Sequence, residues 1–513
     1  MYPGIHAQHA PDRLAVVLAD TDRSLTYRQL DDNSAALARV LHDAGLQRGD
    51  VVALLSDNAV EAFEVFWATQ RSGLYITAVN SHLTPDEVAY IVRDSGARAL
   101  IVSAALGDLA AAVGELTDRH PVRLSFGGDV AGFDSYEAAL ASAGPRLEDE
   151  PSGAIMLYSS GTTGFPKGVK SALPQRRVDE PGDPLVMIAQ HMYGVGESDV
   201  YLSAAPVYHA APLRWGGMVH VLGGTVVLAR KFDPEATLRH IEHYKVTVSQ
   251  MVPTMFVRIL KLEEATRTRY DLSSLRVLIH AAAPCPPEVK RAMIDWLGPI
   301  VYEYYSSTEV NGMTLIDSEE WLAHPGSVGK SVLGPVHICD DDGNELPVGE
   351  VGTVFFERDH MPFRYHNDPE KTAAAQHPEH PFWTTVGDLG YVDDDGYLYL
   401  TDRKSFMIIS GGVNIYPQEV ENVLALHPAV HDVAVIGVPD PEMGEQVKAV
   451  VQLAAGLEGS EDLAAELIEY VRERIANYKA PKSVDFVDDL PRTPTGKLVK
   501  GKLRERFAEG AVK

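Results

Sequence analysis

From about Asp50 to Val310 short apolar runs alternate with stretches of helical periodicity, and few architectures accept that alternation. Val51-Val52-Ala53-Leu54-Leu55, Ala99-Leu100-Ile101-Val102, Thr225-Val226-Val227-Leu228 and Arg276-Val277-Leu278-Ile279-His280 read as buried strands. Leu30 to Gly45 and Pro234 to Tyr244 read as helices between them. Strands and helices in alternation imply layered α/β sheets with helices on their faces.

From about Gly326 the pattern turns β-rich. Asp340-Asp341-Asp342-Gly343-Asn344 and Asp393-Asp394-Asp395-Gly396-Tyr397 look like hairpin turns in which glycine supplies a positive φ. The second turn leads into Tyr397-Leu398-Tyr399-Leu400 and then Thr401-Asp402-Arg403-Lys404-Ser405, where we place a domain boundary. Beyond it Pro417 to Leu426 reads as a helix with proline in its first turn, and Val433 to Ile436 and Ala449 to Val451 read as strands. Ser460 caps a further helix, and Leu463, Leu467, Val471 and Ile475 recur every four residues on one buried face. A chain of 513 residues is too long for one core. The fold class expected is α/β. A large N-terminal domain of several subdomains, layered α/β sheets plus a β-rich part, spans 1–403, and a small α+β C-terminal domain spans 404–513.

The formal net charge of −27 argues against nucleic acid and anionic membranes as partners, since both need a basic field. Any anionic substrate must then be held by a few local donors. The two cysteines, Cys285 and Cys339, lack metal-ligand spacing and suggest a reducing compartment. The first residues carry no basic stretch followed by an apolar core, and no apolar run approaches the roughly 20 residues of a membrane span. A cytoplasmic enzyme is the expectation.

The segment richest in chemistry is Tyr158-Ser159-Ser160-Gly161-Thr162-Thr163-Gly164-Phe165-Pro166-Lys167-Gly168-Val169-Lys170, directly after the apolar stretch Ala154 to Leu157. Its glycines, hydroxyls and lysine offer backbone N–H groups, O–H groups and one cation to phosphate oxygens. It is not a Walker A loop, in which Gly-Lys-Ser/Thr runs into a helix; here Pro166 precedes the lysine and Gly168 follows it.

This loop resembles the signature phosphate loop of the adenylate-forming superfamily, which contains acyl-CoA synthetases, firefly-luciferase-like enzymes and peptide-synthetase adenylation domains. The resemblance runs from about Ala10 to Lys502, with further motifs in the family's order. It implies that Ser159, Ser160, Gly161, Thr162, Thr163, Gly164 and Lys167 bind the ATP phosphates. In Tyr302-Glu303-Tyr304-Tyr305-Ser306-Ser307-Thr308-Glu309 it implies Tyr305 on adenine, Thr308 at the α-phosphate and Glu309 on Mg²⁺, with Thr162 as a second metal contact. Ser306 stands where glycine is frequent. Ala281-Ala282-Ala283-Pro284 resembles the Gly-Gly-Ala-Pro adenine wall with alanines in place of glycines, which gives Ala282, Ala283 and Pro284 as nucleotide contacts. Gly387-Asp388-Leu389-Gly390 resembles the aspartate that accepts both ribose hydroxyls, after Val386 where threonine is common.

Asp402 to Gly412 looks like the family's hinge and following strand. Arg403 would add a ribose contact, Ser405 would be the hinge in place of the usual Asp or Lys, and Gly411 and Gly412 would let backbone lie against the pantetheine arm of coenzyme A. In Pro491-Arg492-Thr493-Pro494-Thr495-Gly496-Lys497 the final residue resembles the catalytic adenylation lysine, and His209 resembles the gate beside the substrate carboxylate. By the same analogy Ala210, Ala211, Trp215 and Val310-Asn311-Gly312-Met313 line the acyl pocket. They are small or apolar, so the acid expected is neutral and fairly large, and a charged acyl chain looks unfavourable.

The resemblance implies an acyl-CoA ligase using ATP, Mg²⁺ and coenzyme A, with a mobile C-terminal domain that serves two half-reactions in turn. Its partners would be a small-molecule carboxylic acid, ATP and CoA, with homodimer formation left open. Two alternatives stand beside it. One is an acyl-AMP ligase or carrier-protein loader. The other is an adenylate-binding protein that keeps only the thioester-forming half-reaction, suggested by Ser405-Phe406 and the alanines of the adenine wall.

Overall fold

The structure, a computed structural model, describes residues 2–117, 120–159, 166–403, 406–410, 413–440, 443–492 and 498–508, with only the backbone of Ser159, Asp402, Arg403, Asn414 and Ala508. Among these residues the strands form four sheets, of nine, eight, five and five strands. The anticipated buried strands are present as Val51–Leu55, Ala97–Ser103, Thr225–Leu228 and Val277–His280.

The helix expected from Leu30 begins earlier, at Tyr27. Thr26 accepts from the Gln29 backbone N–H while the Gln29 side chain accepts from the Thr26 N–H, a capping box that starts the helix before its apolar periodicity does. Pro234–Tyr244 has the expected bounds, because Asp233 caps it and Pro234 fills the first position, where no N–H is needed.

The nine-stranded sheet has Lys330–Leu333, Met313–Ile316, Val301–Ser306, Val277–His280, Val248–Met251, Val200–Ser203, Thr225–Leu228, Leu14–Leu18 and Ser24–Thr26 in spatial order. The six strands from Val301–Ser306 to Leu14–Leu18 run parallel, and antiparallel strands close both edges. The eight-stranded sheet is parallel through Ala154–Ser159, Tyr75–Val79, Val51–Leu55, Ala97–Ser103 and Val122–Phe126. One core cluster joins the two sheets. Phe63 and Phe66 of the helix Glu61–Gln70 meet the helix Ala210–Leu222, where Gly216 and Gly217 leave room. A Cβ at Gly216 would lie 2.3 Å from the Phe63 ring, so side chains there would push the helices apart.

The first five-stranded sheet holds Val336–Cys339, Gly352–Glu357, Asp388–Val392 and Leu398–Arg403, with Trp383–Thr384 paired at one side. Both aspartate-rich turns are present, with Gly343 at φ 90° and Gly396 at φ 80°. The second such sheet contains Ile408–Ser410, Val413–Ile415, Val430–Asp440, Gly444–Leu453 and Ser483–Val487, covered by the helices Pro417–Leu424 and Glu461–Arg472. Ser460 caps the latter helix, which ends before Ile475; that residue packs on the core from beyond it. We place the division between domains in the stretch after Arg403, where one sheet's last strand ends and the other sheet's first begins at Ile408.

Candidate active site

Parallel strands end in irregular backbone with free polar groups, and ligands sit outside those ends. Here a cavity of about 750 Å³ opens at them. Gln250 and Val252 at the end of Val248–Met251, Ala282 after Val277–His280, Tyr304 and Ser306 on Val301–Ser306, and Ala205 after Val200–Ser203 form one wall. Ala78 and Val79 of Tyr75–Val79, and Tyr158 of the neighbouring strand, form another.

A third wall is one face of the helix Ala210–Leu222. Ala211, Arg214, Trp215 and Met218 recur at helical spacing and all line the cavity. His209, Ala210 and Met313 line it too. Gly312, expected in the acyl pocket, does not: a Cβ there would lie 1.9 Å from the Phe356 ring, so its role is close packing against that ring. Arg214 was passed over in the sequence because no motif marks it; only its spacing from Ala211 and Met218 could have drawn attention to it. It sets a cationic side chain beside the small and apolar residues expected there.

His209 precedes the helix without capping it. Burial holds its imidazole down to about 3, with His82 nearby adding to the effect, so it is neutral at ordinary pH. Its Nε2 is buried and has no hydrogen-bond partner among the described residues.

The residues expected at the nucleoside come together across two sheets. The Tyr305 hydroxyl donates to Asp388 Oδ2 at 2.6 Å, and Asp388 is buried. Arg403 lies opposite Asp388 in the antiparallel pair. Val386 and Gly387, just before Asp388, line the cavity. Ala282, Ala283 and Pro284 follow the strand Val277–His280 as a loop, and Ala282 has φ 74°, a left-handed conformation that glycine adopts freely. Ala282→Gly should therefore raise stability by about 0.5–1 kcal/mol. It relieves roughly 1–2 kcal/mol of backbone strain and gives back roughly 0.4–1 kcal/mol to the more flexible unfolded chain. Chemical denaturation measures this; a lower midpoint for the variant would contradict it.

Thr308 and Glu309 both face the cavity, and the Tyr365 hydroxyl donates to Glu309 Oε1 at 2.9 Å. The turn that presents them is braced: Ser307 donates to Asn311 Oδ1 at 3.0 Å, Asn311 donates to the Thr384 carbonyl at 3.1 Å, and Val310 sits at φ 49°. A β-branched residue in that region is strained by roughly 1–3 kcal/mol, which the surrounding bonds must offset. The Ser306 hydroxyl donates to the Gly312 carbonyl at 2.7 Å, so it is engaged within the protein. Among the described residues no cluster of three His, Cys, Asp or Glu side chains could hold a metal alone. A single carboxylate facing a cavity fits Mg²⁺, which takes one or two carboxylates and completes its shell with phosphate oxygens and water.

Lys167 opens the strand Lys167–Lys170 opposite Ser159, and its ammonium pairs with Asp368. Tyr365 and Lys371, both lining the cavity and both missed in the sequence, come from a segment with no motif of its own. Ser160, Gly161, Thr162, Thr163, Gly164, Ser405, Gly411, Gly412 and Lys497 lie outside the described residues, as do the side chains of Ser159 and Arg403.

Comparison with known proteins bears on the same surfaces. Residues 5–366 match the family described as AMP-binding enzyme, and residues 419–497 match the AMP-binding enzyme C-terminal domain. The chain is 35% identical to a feruloyl-CoA synthase of an Amycolatopsis species, covering 99% of this chain and 98% of that one. It is 31% identical to a fatty acid–[acyl-carrier-protein] ligase of Streptomyces coeruleorubidus, covering 98% and 95%. An anthranilate CoA ligase solved in complex with anthranoyl-AMP superimposes with a TM-score of 0.84 at 27% identity, covering 100% of this chain and 98% of that one.

Proposed function

This chain belongs to the AMP-binding enzyme family of adenylate-forming ligases, and on that premise we propose that it joins a fairly large carboxylic acid to coenzyme A through an acyl-adenylate. The observation that carries the reading is the convergence on one cavity of His209, the Thr308–Glu309 turn and the loops bearing Ala282 and Gly387, with the Tyr305–Asp388 pair beside it.

A carboxylate is a poor electrophile, and hydroxide is a poor leaving group. Attack of a carboxylate oxygen on the α-phosphorus of ATP forms a mixed anhydride and releases pyrophosphate. The thiol sulfur then attacks the acyl carbon, and AMP leaves with its new oxygen. Positioning and charge neutralisation are what the protein must supply. Neutral His209, with its unpartnered Nε2, would orient the acid without setting a second charge beside its carboxylate. The start of the helix Ala210–Leu222 adds backbone N–H groups and a partial positive charge near the same place. Thr308 would donate to the α-phosphate. Glu309, oriented by Tyr365, would hold Mg²⁺, which when bound offsets charge on the phosphates. Lys497 would serve the first half-reaction, and the backbone at Gly411 and Gly412 the second, after the C-terminal domain turns about Ser405.

Asp388 would accept the ribose hydroxyls while fixing Tyr305 against adenine. Asp388→Ala should weaken ATP and acyl-AMP together by roughly 1.5–3 kcal/mol, the usual cost of losing a hydrogen bond to a charged group. Isothermal titration with both ligands checks this, and unchanged affinity for both would reduce Asp388 to a tether for Tyr305.

No helix among the described residues is long and apolar enough to cross a membrane. The reading places the enzyme in the cytoplasm, supported by two cysteines that form no disulfide. Likeness to a carrier-protein ligase supports a second reading, in which the accepting thiol belongs to a carrier protein. A panel of acids assayed with ATP and Mg²⁺ against CoA and against a phosphopantetheinylated carrier separates the two. The proposal expects AMP, pyrophosphate and acyl-CoA. Thioester on the carrier alone would favour the second reading, and ADP as product would overturn both.

A further inference from the structure

The acyl cavity is apolar over much of its wall, yet several polar atoms inside it are left over. Arg214 lines this cavity and also a smaller one of about 170 Å³ beside it. Its guanidinium is seated deep enough that burial lowers its pKa, with Asp183 and Tyr304 opposing the shift. Arg214 as a whole is partly exposed and lines both cavities. Its Nε is buried without a hydrogen-bond partner among the described residues, and no ion pair within 4.0 Å is formed by Arg214 among them. The Tyr193 hydroxyl, also on the cavity wall, is likewise buried and unpartnered among the described residues. Tyr304, on the same cavity wall, interacts electrostatically with each.

Guanidinium stays protonated in proteins, so a deeply seated one without a partner is costly unless a ligand supplies an acceptor. Its place along the helix sets the scale of its separation from His209. Arg214 is five residues beyond His209, a rise of roughly 7–8 Å along the axis. That is close to the length of one aromatic ring and a short linker.

Resting on the ligase reading above, we propose that the acid carries an oxygen function about the length of one ring and a short linker from its reacting carboxyl, and that Arg214, with Tyr193, recognises it. The required chemistry is an oxygen acceptor, which a neutral hydroxyl or a second carboxylate both provide. A hydrocarbon acid of the same shape leaves the guanidinium unpaired and is discriminated against.

The test uses the full-length chain and three matched acids: phenylpropanoic acid, its para-hydroxy derivative and its para-carboxy derivative. Two readouts are taken, kcat/KM for pyrophosphate release and equilibrium binding of each acid by calorimetry. The inference expects one oxygen-bearing acid to exceed the parent by about ten- to a hundredfold, the span of a hydrogen bond to a charged group. Preference for the para-hydroxy acid identifies a neutral acceptor, and preference for the para-carboxy acid an anionic one. Arg214→Met should collapse the ratio toward one and Arg214→Lys should keep part of it, with ATP binding confirming that each variant is folded. Parity of all three acids in the wild type overturns the inference without any variant, as does a preference that survives Arg214→Met. Selective binding with no pyrophosphate release from any acid would sink the ligase reading and leave the Arg214 site standing. Turnover without selectivity would do the reverse.

Discussion

Lys497→Ala is expected to slow acyl-adenylate formation by about 10²–10³-fold and to leave thioester formation from supplied acyl-AMP within a few-fold of the wild type. The magnitude is that of removing one donor aimed at charge that grows in a transition state. The asymmetry follows from the proposed mechanism, in which two faces of the C-terminal domain serve one site and only one of them brings the lysine in. Lys497 itself lies outside the described residues, but its flanks are anchored. Arg492 and Leu498 bridge one another, and the Arg492 guanidinium holds Asp432 at 2.5 Å on the strand Val430–Asp440. Pyrophosphate release and acyl-AMP consumption, followed separately, check the prediction. Equal damage to both would mean that Lys497 acts on something common to the two steps.

Gly412→Leu is expected to leave pyrophosphate release nearly intact and to abolish acyl-CoA formation. Ser410 and Val413, on either side of the two glycines, pair across the antiparallel strands Ile408–Ser410 and Val413–Ile415. On the proposed role of Gly411 and Gly412 beside the pantetheine arm, an isobutyl group at 412 obstructs the thiol and does nothing to ATP. Leucine in place of glycine also has a second way to do harm, by straining a backbone that needs a positive φ. Strain would lower the melting temperature and damage both half-reactions alike, which separates the two causes. A folded variant with normal thioester formation would remove Gly412 from the CoA path.

Much of the architecture was legible from residues with local consequences. Pro234–Tyr244 could be bounded in the sequence because Asp233 and Pro234 act on their own backbone. The aspartate-rich turns were readable for the same reason. Resemblance drew Tyr305 and Asp388 from motifs far apart in the chain, and the structure sets one against the other at 2.6 Å. Arg214 and Tyr365 were not legible. Arg214 acquires meaning only because Tyr193, Tyr304 and the helix Ala210–Leu222 enclose the same space, and Tyr365 only because a short edge strand reaches Glu309. Neither depends on a spacing that a single sequence displays. The strained φ of Ala282 lies in between: alanine in place of the family's glycine flagged the position, and only the backbone showed the conformation.

The central claim is that the acid's own oxygen attacks the α-phosphorus. Transfer of isotope tests it most directly. An acid that turns over is labelled with ¹⁸O in both carboxyl oxygens and incubated with the chain, ATP, Mg²⁺ and CoA, and the products are weighed by mass spectrometry. The account predicts one ¹⁸O in AMP, none in pyrophosphate and one retained in the thioester carbonyl. Label in inorganic phosphate with ADP as co-product, or acyl-CoA formed beside unlabelled AMP, would contradict it.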